Sequence, residues 1–146
     1  MATTTFNGPV ISTNGFIGTV ASTNASSYVA VSTAPATNNV NITAAQMAGA
    51  ATVYLNYTGT AGAAFTLTTD TAANIIAAIP NAQVGQQYDL RVINTGSGYT
   101  ATLTAGTGVT INGTATIANN TWRDFYVVIA TSSTVTLQSV GVGTQS

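Results

Sequence analysis

The chain has 146 residues, a length that suits one domain, and it contains neither cysteine nor histidine, so disulfide staples, thiolate or imidazole metal sites and cysteine nucleophiles drop out together. Only Asp70, Asp89, Arg91, Arg123 and Asp124 are charged, 3% of the chain against about 25% in ordinary soluble domains, and the net charge is −1. Two arginines cannot neutralise a nucleic-acid backbone, and no apolar run approaches the roughly 18 residues of a bilayer span.

Residues 1–40 are rich in Thr, Ser, Asn, Ala and Gly, with turn signals at Asn7-Gly8-Pro9 and Asn14-Gly15 and short apolar groups such as Val10-Ile11 and Phe16-Ile17. Nothing here builds a core of its own. The segment reads as an extended N-terminal arm that gains order from a neighbour, or else as edge strands added to its own domain. Met1-Ala2-Thr3-Thr4-Thr5 has neither the positive region nor the apolar stretch of a signal peptide, so synthesis in the cytoplasm is expected.

Residues 41–146 read as one all-β domain, an antiparallel β-sandwich or jelly-roll-like fold, because strand-like runs bounded by turns recur about every 8–12 residues. Val53, Leu55 and Tyr57 alternate with polar neighbours in the first of these runs, and Ala64–Thr68 follows after a Gly-rich turn. One short helix is predicted over 71–79. Asp70 stands at its N-cap position, Ala72, Ile75, Ile76 and Ile79 share one face, and Pro80 ends it. A smaller helical piece is read over Ala44–Ala48.

Further strands are read at Tyr88–Asn94, Tyr99–Thr104, Val109–Ile111, Thr114–Ile117, Thr121–Ala130 and Thr134–Val140. Asn112-Gly113 is a hairpin signal between the third and fourth of these, and Gly141-Val142-Gly143 reads as a loose tail. Thr-x-Thr pairs at Thr66/Thr68, Thr100/Thr102/Thr104, Thr114/Thr116 and Thr134/Thr136 raise the idea of a solenoid with a flat threonine array, as in ice binding. Their spacing is irregular and a helix interrupts them, so a solenoid is set aside for want of a fixed period.

Acid–base catalysis draws mostly on His, Glu, Asp, Lys, Tyr or Cys, and four of those types are missing here. Asp70 is accounted for as the helix cap. Asp89, Arg91, Arg123 and Asp124 are read as ion pairs across strands or between subunits. No base stands ready to activate a Ser or Thr nucleophile, and no cluster suits a metal or cofactor. The chain is therefore read as a non-enzyme. In Thr121–Ala130, Trp122, Tyr126 and Val128 share one face and Phe125, Val127 and Ile129 the other. A strand apolar on both faces is buried on both, in the core or with one face at a subunit interface. Exposed aromatics at Trp122, Tyr99 or Tyr54 would alternatively stack on a glycan.

The runs Ile42-Thr43-Ala44-Ala45-Gln46-Met47, Thr68-Thr69-Asp70-Thr71-Ala72-Ala73, Ile75-Ile76-Ala77-Ala78-Ile79-Pro80 and Ala105-Gly106-Thr107-Gly108-Val109-Thr110 resemble segments of tailed-bacteriophage virion proteins. The opening Phe6-Asn7-Gly8-Pro9-Val10 with Asn14-Gly15-Phe16-Ile17-Gly18 resembles the openings of phage decoration and structural proteins. Thr69-Asp70 stands where such proteins commonly carry Leu-Pro before the helix. The resemblance implies a capsid decoration (cement) protein on the outer surface of the head, often trimeric, that binds the major capsid protein and copies of itself. Its alternative is a head or tail fibre module that binds a host receptor or glycan. Under the first reading, Phe6, Pro9, Val10, Ile11, Phe16, Ile17, Trp122, Arg123 and Tyr126 are the expected capsid or subunit contacts.

Overall fold

The structure, a computed structural model, describes residues 29–35, 39–48, 52–58, 61–95 and 97–145. In chain order these form β1 (Val29–Pro35), β2 (Val40–Asn41), α1 (Ala44–Met47), β3 (Thr52–Thr58), β4 (Phe65–Thr68), α2 (Ala72–Ala78), β5 (Gln87–Thr95), β6 (Ala101–Thr104), β7 (Val109–Asn112), β8 (Thr116–Ile117), β9 (Thr121–Ile129) and β10 (Val135–Thr144). The protein is mostly β, with two mixed sheets and two short helices. One sheet has six strands in the order β1-β3-β5-β9-β10-β7, and the other has four in the order β2-β4-β6-β8.

From β1 to β8 the chain alternates between the sheets. Odd strands enter the six-stranded sheet and even strands the four-stranded one. Because each return is to the same sheet in the same direction, β1, β3 and β5 pair in parallel, and so do β2, β4 and β6. Val29 lies beside Thr52 and Thr52 beside Asp89, while Val40 lies beside Leu67 and Leu67 beside Leu103. Antiparallel pairing enters with β9, which lies between β5 and β10, and with β8 against β6. The expected antiparallel sandwich is thus corrected to a coiled, largely parallel arrangement closed by antiparallel strands. The coil has no fixed period because its second turn carries α2 and the loop after it.

The winding also explains the threonines. On the outer face of the four-stranded sheet Thr66 stands beside Thr102, and Thr102 beside Thr116; Thr68 stands beside Thr104, their hydroxyls 2.9 Å apart. The opposite face of the same strands carries Phe65, Leu67, Ala101, Leu103 and Ile117, all buried. These join Val53, Leu55, Leu90, Val92, Phe125, Val127, Ile129, Val135 and Leu137 of the larger sheet in one hydrophobic cluster. Period-two alternation therefore does the folding work on both sheets.

The helices close the cluster at the strand ends. Ala72 and Ile75 are fully buried and Ile79 nearly so, as the shared face predicted. The N-cap is Thr71, whose hydroxyl accepts from the Asn74 backbone N–H, and this corrects the assignment of Asp70 as cap. Asp70 sits one residue earlier and binds both helices. Its Oδ1 accepts from the Thr71 N–H and the Asn74 side-chain amide, each at 2.7 Å, and its Oδ2 from the Ala44 N–H at 2.8 Å. α1 has a reciprocal capping box between Thr43 and Gln46. Gly106 allows the chain after β6 to pass this junction, since a Cβ there would come within 2.5 Å of the Thr69 and Asp70 carbonyl oxygens.

Three other expectations change. Asn112-Gly113 is not a hairpin: β7 pairs with β10 in one sheet and β8 with β6 in the other, so Gly113, at φ 84°, turns the chain from sheet to sheet. Gly141-Val142-Gly143 is not a tail, because β10 runs on to Thr144 against β9 after a bulge between Ser139 and Gly141. Within the stretch read as arm or edge strands, Val29–Pro35 is an edge strand of the six-stranded sheet. The arm residues Phe6, Pro9, Val10, Ile11, Phe16 and Ile17 lie outside the described residues.

Candidate functional site

The outer face of the six-stranded sheet gathers Tyr54, Asp89, Arg91, Trp122, Asp124 and Tyr126, most of the described side chains singled out from the sequence. Alternation turns Val53, Leu55 and Tyr57 of β3 inward and leaves Thr52 and Tyr54 outward; in β5 it turns Tyr88, Leu90 and Val92 inward and leaves Asp89 and Arg91 outward. In β9 it buries Phe125, Val127 and Ile129 and sends Trp122, Asp124 and Tyr126 outward. Register then makes two rows. Thr52, Asp89 and Tyr126 are neighbours in one, and Tyr54, Arg91, Asp124 and Gly141 in the next.

Arg91 organises the second row. Its Nε and Nη2 donate to Asp124 Oδ1 and Oδ2 at 2.7 and 2.8 Å, a bidentate pair across β5 and β9. The guanidinium lies 3.9 Å from the Trp122 ring centroid and 5.6 Å from that of Tyr54. The bond to Asp124 holds the guanidinium pKa above its ordinary value. Trp122 in turn leans over β10, where a Cβ on Gly143 would collide with its ring. Glycine is required at that position by the close approach of the indole, which gives Gly143 a packing role that its place in an apparent tail concealed.

The other charged residues behave differently. Asp89 is exposed and has no hydrogen-bond or ion-pair partner among the described residues. Arg123, expected in an ion pair, points to the opposite side of β9. There its Nε donates to the Thr116 carbonyl at 2.8 Å and its Nη1 to the Ser139 hydroxyl at 3.1 Å, tying β8 to β10. Tyr126 is 48% exposed in the single chain, so the outer face of β9 is not buried in the chain's own core. Tyr99 is exposed as well but lies in the turn between β5 and β6, away from this group.

Between the two rows the surface dips into a cavity of about 250 Å³ lined by Thr52, Tyr54, Asp89, Arg91, Asp124, Tyr126 and Val140. Val140 belongs to it because the β10 bulge displaces that residue from the pairing register. No sequence rule places Tyr126 beside Asp89 or Val140 beside both, because β5 is distant in the chain from β9 and the bulge in β10 is not marked in the sequence. Among the described residues there is no group of three His, Cys, Asp or Glu side chains that could hold a metal ion.

No protein-family model, no curated protein and no solved structure matches the chain.

Proposed function

We propose that this chain is a non-catalytic structural subunit of a bacteriophage virion, a two-sheet β-sandwich that decorates the outer surface of the head and cements neighbouring capsid subunits. It acts as a homotrimer bound to the major capsid protein. The observation that carries this reading is the chemistry of the sheet edges. β1 and β7 border the larger sheet and β2 and β8 the smaller. None of the four contains any of the chain's five charged residues.

Monomeric β proteins guard such edges with lysine and other charges, because a free edge pairs with any strand that reaches it. Pro35 in β1 and the two-residue lengths of β2 and β8 limit pairing, but edges without charge suit a protein whose working state is an assembly, where edge groups and the apolar residues of the N-terminal segment meet a neighbour. Specific, stable contacts of that kind bury roughly 1,200–2,000 Å².

The test is decoration of purified heads by the wild-type protein and two variants. Thr110→Lys puts a charge on an exposed position of β7. Deletion of residues 1–20 removes Phe6, Pro9, Val10, Ile11, Phe16 and Ile17 together. Wild-type protein is expected to saturate the heads, Thr110→Lys to lower occupancy without lowering the melting temperature, and the deletion to abolish binding. Full occupancy by both variants would remove the edges and the arm as contacts, and absence of wild-type binding would remove the decoration reading itself.

A further inference from the structure

We propose that the depression on the outer face of the six-stranded sheet is a binding site for a neutral saccharide, with Asp89 and Tyr126 as its principal contacts. The proposal goes beyond the assembly reading and does not depend on it, since it concerns a sheet face and not the sheet edges.

The ligand class follows from how the polar groups are committed. Arg91 is already bonded through two nitrogens to Asp124 and stacked on Trp122. It is not free to clamp a phosphate or carboxylate, and Asp89 beside it repels anions. Asp124 neutralises Arg91, so Asp89 is the one uncompensated charge lining the depression, and it serves a neutral hydroxylated ligand as a strong hydrogen-bond acceptor.

What the depression offers such a ligand is specific. Asp89 presents a carboxylate with neither oxygen engaged by any described residue, and a carboxylate can accept two hydroxyl hydrogen bonds side by side. Tyr126 lies directly across the strand pair from Asp89 and is half exposed, an aromatic side chain of the kind that packs against the C–H face of a sugar. Thr52 flanks Asp89 on its other side with a hydroxyl. The volume of about 250 Å³ falls below the roughly 300–1,000 Å³ of drug-sized pockets and fits one sugar unit.

The site is also rigid. All three residues stand on interior strands of a hydrogen-bonded sheet, and a site that needs no ordering loses little affinity to entropy. Trp122, the obvious stacking candidate from the sequence, is not part of the ligand surface, because Arg91 occupies its face.

The experiment is a two-dimensional amide NMR titration of the full chain with neutral gluco-, chito- and xylo-oligosaccharides, repeated for Asp89→Asn, Tyr126→Ala and the control Tyr99→Ala. Saturable shifts centred on Thr52, Asp89, Tyr126 and Val140 are expected with at least one of these probes. Both groove variants are expected to weaken binding by about tenfold or more, a loss of the size of one or two good contacts, and Tyr99→Ala to leave it unchanged. Asp89 and Tyr126 are exposed, so neither variant threatens the fold. No saturable shift with any probe, shifts centred on Tyr99, or undiminished binding by both groove variants would overturn the proposal. So would groove amides already shielded by a second copy in the unliganded protein.

Discussion

Tyr88 and Asp70 show how differently single polar groups sit in this fold. The Tyr88 hydroxyl is buried beneath β5 with no hydrogen-bond partner among the described residues, and burial pushes its pKa up from the ordinary 10.0. An unpartnered buried hydroxyl costs about 1–3 kcal/mol of desolvation, while the ring around it packs well. Tyr88→Phe is therefore expected to raise the urea midpoint, corresponding to about 1 kcal/mol. The raised pKa implies stability present below pH 10 and lost as the pH climbs past it, since the unfolded chain ionises first. The variant should soften that alkaline loss. A lower midpoint at neutral pH would mean the hydroxyl is satisfied in solution. Asp70 is the opposite case, with both oxygens engaged, and the Asn74 amide, the Ala44 N–H and the Thr71 N–H, in that order, hold its pKa below the ordinary carboxylate value.

At the scale of elements, that carboxylate is a joint between two helices too short to persist alone. A depressed pKa contributes stability that is present above the unfolded value and is lost as the pH falls through the folded one. Asp70→Asn is thus expected to cost stability at neutral pH and to flatten the acid limb of a pH–melting curve. Thr71→Ala removes one cap, costs about 1 kcal/mol and leaves that limb in place. Equal acid limbs in wild type and Asp70→Asn would show that Asp70 is not the titrating joint. The helix around Ile75 was legible because its stripe and its terminating proline are local signals. The cap was misplaced by one residue because Asp70 and Thr71 are both good caps, and only the position of α1 decides which one is drawn away. Asn112-Gly113 failed for a related reason: a dipeptide specifies a turn, while the sheet that each flanking strand joins depends on β6 and β10.

For the whole molecule, the scarcity of charge has a measurable consequence. With a net charge of −1 and four uncharged edge strands, the proposed association between copies would rest on apolar and backbone contacts and not on ion pairing. Sedimentation is expected to show a trimer whose dissociation is nearly unchanged between low and high salt, because salt screens only charge–charge terms. A monomer at micromolar concentration, or strong salt dependence, would contradict that. The groove belongs to this scale too. Tyr54, Arg91 and Trp122 were each noticed in the sequence as an aromatic or a paired charge, yet the stacking of Arg91 on Trp122 could not be read there, because β3, β5 and β9 meet only through the sheet order.

The sequence by itself determined which residues face inward on almost every strand, the position of α2, the lack of charged surface and the want of acid–base groups, because alternation, helical stripes and composition act over a few neighbouring residues. Only the tertiary structure decided that the strands coil in parallel between two sheets, that Gly143 lies under Trp122, and that Asp89 stands beside Tyr126 with no partner among the described residues while Arg91 is taken by Asp124. Those outcomes depend on register between strands, most of them far apart in the chain, and register is set by the packing of the whole core.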